Sequence, residues 1–101
     1  PPPGPIALNI DDAAGKNEWK HYGPYQVSEG KLRAVVTGAA GDLDLYVRRG
    51  SAPTEDHFDC RPWLEGTAPE TCEVNGPGQI HVSVFGYEAG GYGLQVNYTG
   101  C

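Results

Sequence analysis

No apolar run in these 101 residues approaches the roughly 18 that a membrane-spanning helix needs, and no signal-peptide pattern opens the chain. A membrane is therefore not an expected partner, and a secreted chain of this kind would carry its targeting segment upstream. Basic charge is scarce too: seven Lys and Arg stand against thirteen Asp and Glu, a net charge of −6, with no basic patch. Such a surface repels a phosphate backbone, which excludes nucleic acid as an expected partner. The three cysteines, at 60, 72 and 101, form no C-x₂-C pair, and His21, His57 and His81 stand in no zinc-type repeat. Nor is there a sustained 3.6-residue period, apart from a turn near Asp11 to Asn17, and there is no internal repeat.

What the chain does have is alternation. In Asp42 to Arg48, apolar Leu43, Leu45 and Val47 alternate with Asp42, Asp44, Tyr46 and Arg48, which predicts one buried face and one solvent face. Lys31 to Thr37 places Leu32, Ala34 and Val36 on one side. Gln79 to Phe85 sends Ile80, Val82 and Val84 inward and His81 and Ser83 outward, and Tyr92 to Tyr98 repeats the pattern with Leu94, Val96 and Tyr98. Further strands are expected over Ile6 to Ile10, over Glu18 to Val27 with a break at Gly23-Pro24, and over Thr71 to Val74. Fifteen glycines and nine prolines supply the turns between them. The predicted fold is all-β: an antiparallel sandwich, jelly-roll-like, of six to eight short strands.

This length allows one domain. Pro1 to Pro5 reads as the end of a stiff, proline-rich interdomain linker, with residues 6–101 forming the domain. A Cys60–Cys72 bridge would close a polar loop containing Pro and Gly and would contribute about 3 kcal/mol. Two reduced thiols are the alternative. Cys101 is then a free thiol, an intermolecular bridge, or half of a pair continuing elsewhere.

Several residue groups bear on chemistry. Asp42 and Asp44 lie two apart on one strand, so their carboxylates share a face; turn capping is the plain reading, cation binding or acid–base work the sharper ones. Ser51, His57 and Asp59 are the residue types of a nucleophilic triad, but they crowd one short loop with no G-x-S-x-G elbow, and no catalytic residue is assigned. The aromatics carry more weight. Trp63 lies inside the cysteine loop, Tyr46 is expected on the polar face of its strand, and Tyr87 and Tyr92 flank a glycine turn. Flat rings on a rigid sheet suit the apolar faces of sugars and equally suit peptide polymers. Covering the edges of a sandwich is the competing role for the same residues.

In order and spacing, Trp19-Lys20-His21-Tyr22, Gly41-Asp42-x-Asp44-Leu45-Tyr46-Val47 and Gly50-Ser51-Ala52-Pro53-Thr54 resemble the bacterial pre-peptidase C-terminal (PPC) domain. So do Asp59-Cys60-Arg61-Pro62, Glu70-Thr71-Cys72 and Gly93-Leu94-x-Val96-x-Tyr98, so the likeness covers nearly all of the chain after the linker. Cys101 lies outside the motif. The resemblance implies a small β-sandwich with Trp19 in its core. It also implies a non-catalytic accessory module of a secreted bacterial hydrolase, either a protease or a polysaccharide-degrading enzyme. Its expected partners are the catalytic domain of the same polypeptide and an extracellular polymer, either insoluble protein such as collagen or a polysaccharide. Trp63, Tyr46, Tyr87 and Tyr92 are the expected contacts. The alternative is a segment that assists folding, secretion or latency of the enzyme and has no ligand of its own. Distantly similar clostridial collagen-binding domains carry calcium near the N-terminal edge, which makes Asn9, Asp11, Asp12 and Glu18 calcium candidates by that resemblance; no other cofactor is expected.

Overall fold

A computed structural model describes residues 4–64 and 66–100. Seven strands fill it, in the order β1 (Gly4–Ala14), β2 (Trp19–Val27), β3 (Lys31–Thr37), β4 (Leu43–Arg49), β5 (Glu70–Asn75), β6 (Gly78–Gly86) and β7 (Gly90–Gly100). Every pairing is antiparallel. One layer is β4-β6-β2; the other is β1-β7-β3-β5, and the two are continuous only where Val27 pairs Gly100. This is the predicted sandwich. Among the described residues there is no helix, and so none long and apolar enough to cross a membrane.

The inner faces meet where the alternation places them. Leu43, Leu45, Val47, Ile80, Val82, Val84, Leu94 and Val96 are all at most 2 % exposed, and Leu32, Ala34 and Val36 join them. Burying a branched aliphatic side chain is worth about 1.5–3 kcal/mol, so this set carries most of the hydrophobic driving force. The expected break in β2 is a bulge between Tyr22 and Tyr25, with Gly23 at φ 90°. β1 runs longer than its apolar part. It takes in Gly4 and Pro5 from the proline-rich leader, and Asp11 to Ala14, because β7 offers an unbroken partner from Gly90 to Gly100. The remaining leader residues 1–3 lie outside the described residues, as does Cys101.

The outer face of β4 departs from expectation. Asp44, Tyr46 and, on the adjacent β6, Ser83 were expected to face solvent, yet they are 6 %, 2 % and 0 % exposed. The reason is a cover. From Gly50 to Leu64 the chain crosses Asp44 and Tyr46, pinned by reciprocal backbone bonds between Val47 and Cys60 and by the Cys60–Cys72 disulfide, while Ser83 Oγ bonds the His21 ring of β2 at 2.6 Å. Trp19 belongs to the same outer layer and not to the core: it is half-buried, packed on Tyr46 (4.8 Å between centroids) and Phe85 (4.9 Å). The disulfide also brings together the two outermost strands, β4 and β5. Beside it the Leu45 amide, on the unladdered edge of β4, donates to Glu70 Oε1 at 2.8 Å.

Candidate functional site

The described chain exposes three large hydrophobic side chains, Trp63, Leu64 and Tyr87, and all three border one groove of about 500 Å³. Its other walls are Asp42, Asp44, Arg61, Gly66 and Glu88. Two segments build it. One is the β6–β7 turn, folded back so that the amides of Tyr87 and Glu88 both donate to the Asp42 carbonyl, at 2.9 and 3.1 Å. That approach requires glycine: a Cβ on Gly41 would stand 2.3 Å from the Ala89 carbonyl oxygen. The other is the covering loop just beyond Cys60, held where Cys60 is held.

Within that loop Trp63 has φ +64°, a left-handed conformation that bulky side chains avoid. Such a residue costs about 1–3 kcal/mol of local strain. Burial does not offset it, because Trp63 is 65 % exposed. Its ring centroid instead lies 3.6 Å from the Arg61 guanidinium, which also approaches the Tyr46 ring at 4.8 Å. Phe58 packs edge-on against both Tyr46 and Trp63, completing a row of rings across the outer face. Arg61 also reaches Asp44 Oδ2 at 3.4 Å. Asp44 nonetheless titrates above its ordinary range, first because it is buried and second because the Asp42 carboxylate is close; Arg61 opposes both. Asp42 Oδ1 is buried without a hydrogen-bond partner among the described residues. Beneath them Glu70, 1 % exposed, is pushed up to about 7 by burial, against the pull of the Leu45 amide.

Of the four aromatics singled out from the sequence, the fold brings Trp63 and Tyr87 to one groove and withdraws the other two. Tyr46 is sealed under the covering loop. Tyr92 is 4 % exposed, its hydroxyl bonded to that of Tyr22, which also donates to Asp12 Oδ2 at 2.7 Å. As ring faces for a ligand, Tyr46 and Tyr92 are thus corrected to packing residues. Asp42 and Asp44 reach the groove. Arg61, Leu64, Glu70 and Glu88 drew no expectation as site residues, and no periodicity marks them.

The N-terminal oxygens are spread out. Asn9 and Asp11 are exposed on β1, Asp12 serves Tyr22 and the Ala13 amide, and Glu18 Oε1 accepts from the Gly15 amide at 2.8 Å. Among the described residues no three His, Cys, Asp or Glu side chains are grouped to hold a metal. Ser51, His57 and Asp59 do not join one another either: His57 Nδ1 contacts Thr54 Oγ1, and Asp59 Oδ2 accepts from the Arg49 amide.

No family model matches the chain. Known proteins do. The chain is 41 % identical over 71 residues to "Alkaline serine exoprotease A" of Vibrio alginolyticus, covering 67 % of this chain and 13 % of that one. It is 36 % identical over 75 residues to the "Zinc metalloprotease" of Helicobacter pylori, covering 72 % of this chain and 26 % of the relative. Against the "Extracellular protease" of Xanthomonas campestris it is 42 % identical over 71 residues, 68 % of this chain and 12 % of the other. The chain thus spans about a quarter or less of each of these proteases. It is a secreted, extracellular chain, with the disulfide expected in that compartment.

Proposed function

We propose that this is the PPC-like, non-catalytic accessory domain of a secreted protease, and that its Trp63–Tyr87 groove holds the polymer on which the enzyme acts. The accessory reading is supported by the relatives. A serine exoprotease and a zinc metalloprotease need different catalytic machinery, so a segment similar to part of both serves something other than the bond-breaking step. The binding reading rests on one observation: the strained, exposed Trp63 stands with Leu64 and Tyr87 around a single groove. Strain of this kind is retained where surrounding structure enforces it, and it clusters at ligand clamps. Isolated exposed hydrophobics need no explanation, but three around one groove do.

Trp63→Ala combined with Tyr87→Ala should reduce retention on the correct polymer by roughly tenfold or more, as loss of central aromatic contacts does. Thermal unfolding should change little, since both side chains are mostly exposed. Co-sedimentation with insoluble collagen, chitin, cellulose and xylan, together with a melting curve of each form, measures both. Absence of wild-type binding to all four, with impaired secretion of the parent enzyme when the domain is deleted, would instead establish the folding and secretion role.

A further inference from the structure

We infer that the groove selects basic side chains, so that the polymer it holds is a polypeptide presenting lysine or arginine and not a neutral sugar chain. The inference rests on the binding role proposed above and adds the ligand's chemistry to it. Among the described residues, three carboxylates, Asp42, Asp44 and Glu88, line the groove against the single guanidinium of Arg61. Arg61 is committed to Asp44, which leaves Asp42 and Glu88 without a compensating charge.

As carboxylates, Asp42 and Glu88 are acceptors only, and both line the groove. A bound ammonium or guanidinium has N–H donors to supply. The raised carboxyls of Asp44 and Glu70 reflect the same concentration of negative charge, second to burial. The walls distinguish an organic cation from a metal ion. Tyr87 and the open surface of Trp63 are π faces, which attract alkylammonium and guanidinium groups while their alkyl stems pack on Leu64.

The protein already contains one example of this recognition. Arg61 is held by a carboxylate, Asp44, and by the rings of Tyr46 and Trp63. Asp42, Glu88, Tyr87 and the exposed part of Trp63 offer the same combination of groups to a second cation from outside. A neutral sugar would stack on the rings, but it would leave the surplus charge of the groove uncompensated.

The test uses fluorescently labelled oligolysine and the same peptide with every side chain acetylated, at low and physiological salt. Wild-type protein should bind the free-amine form and lose at least roughly tenfold in affinity on acetylation. Asp42→Asn with Glu88→Gln should lose a similar factor. A charge-matched pair outside the groove wall, Asp11→Asn with Glu29→Gln, should lose less than about twofold at physiological salt, because exposed charges that do not touch the ligand are largely screened. If the first pair unfolds, Glu88→Gln alone, on an exposed turn, should still weaken binding several-fold.

Equal losses from the two pairs, no effect of acetylation, or no binding of oligolysine would overturn the inference. The polymer reading would then stand or fall separately, on whether Trp63→Ala with Tyr87→Ala loses retention on the insoluble panel. Groove-specific oligolysine binding without retention on any polymer would overturn that reading and leave the cation preference in place.

Discussion

Glu70→Gln should gain stability over the wild type as pH rises from about 4.5 to 8, with the gap between the two reaching roughly 3 kcal/mol at the upper end. Burial raises this carboxyl from 4.5 to about 7, more than the Leu45 amide lowers it, with the charges of Asp44 and Asp42 adding to the rise. The unfolded chain therefore releases the proton first. Between the two values it binds fewer protons than the native state, and native stability falls with increasing pH. The contribution of Glu70 is fully present below about 4.5 and is lost as pH passes through 7.

Glutamine keeps an oxygen for the Leu45 amide and cannot ionise. Its new N–H₂ group has the neighbouring Asp44 and Asp42 carboxylates within the same cluster. His81 works in the opposite sense, since burial lowers its pKa and the unfolded chain takes up that proton first as pH falls. Subtracting the variant's profile from that of the wild type removes the His81 contribution. Asp12 is lowered by its bond from Tyr22, so its contribution is lost only in acid below the ordinary carboxylate range, outside this window. Urea unfolding of both proteins at intervals of pH measures the gap. A difference that stays constant, or one that narrows toward pH 8, would contradict the buried-carboxylate account.

Replacing Cys60 and Cys72 together by alanine should cost about 3 kcal/mol, and reductant should lower the stability of the wild type comparably. The bridge spans 12 residues and ties the covering loop to β5. Cys72 is 1 % exposed in the core, and Cys60 holds its place through two backbone bonds with Val47. Releasing the loop would expose Tyr46, Asp44 and Glu70 along with the start of the groove. The loss should therefore appear both in the denaturant midpoint and as weaker binding. Equal stability of the oxidised and reduced proteins would show that the loop packs unaided.

The inner layer was legible because a period of two is a direct record of which face is dry. Lys31 to Thr37 was bounded correctly, and β4, β6 and β7 to within two residues at each end. Periodicity is silent on whether the other face is covered too. Asp44 and Tyr46 were misplaced for that reason: the cover over them is an irregular segment with no period of its own, while Ser83 is held by the His21 ring on the neighbouring β2. β1 was underestimated because Asp11 to Ala14 have little strand preference, and the ladder to β7 outweighs it.

Part of the candidate site was visible in the same way. Trp63 and Tyr87 stood out as aromatics in loop or turn contexts, and the Asp42–Asp44 pair as carboxylates sharing a face. Their convergence was not visible. It depends on the positive φ of Trp63, on the fold-back of Tyr87 and Glu88 onto Asp42, and on the stacking of Arg61, none of which leaves a mark in one sequence. Glu70 was hidden for a related reason. Its burial follows from the unladdered edge of β4, which is a property of topology and not of its neighbours in the chain.

The most direct test of the binding account is an NMR titration of isotope-labelled domain with soluble gelatin fragments, run in parallel with chito- and xylo-oligosaccharides. The account predicts saturable shifts of the Trp63 indole N–H and of the amides of Asp42, Tyr87 and Glu88, larger with the peptide ligand. Shifts confined to another surface, such as the Trp19–His21–Asp56 groove, or none with any ligand at millimolar concentration, would contradict it.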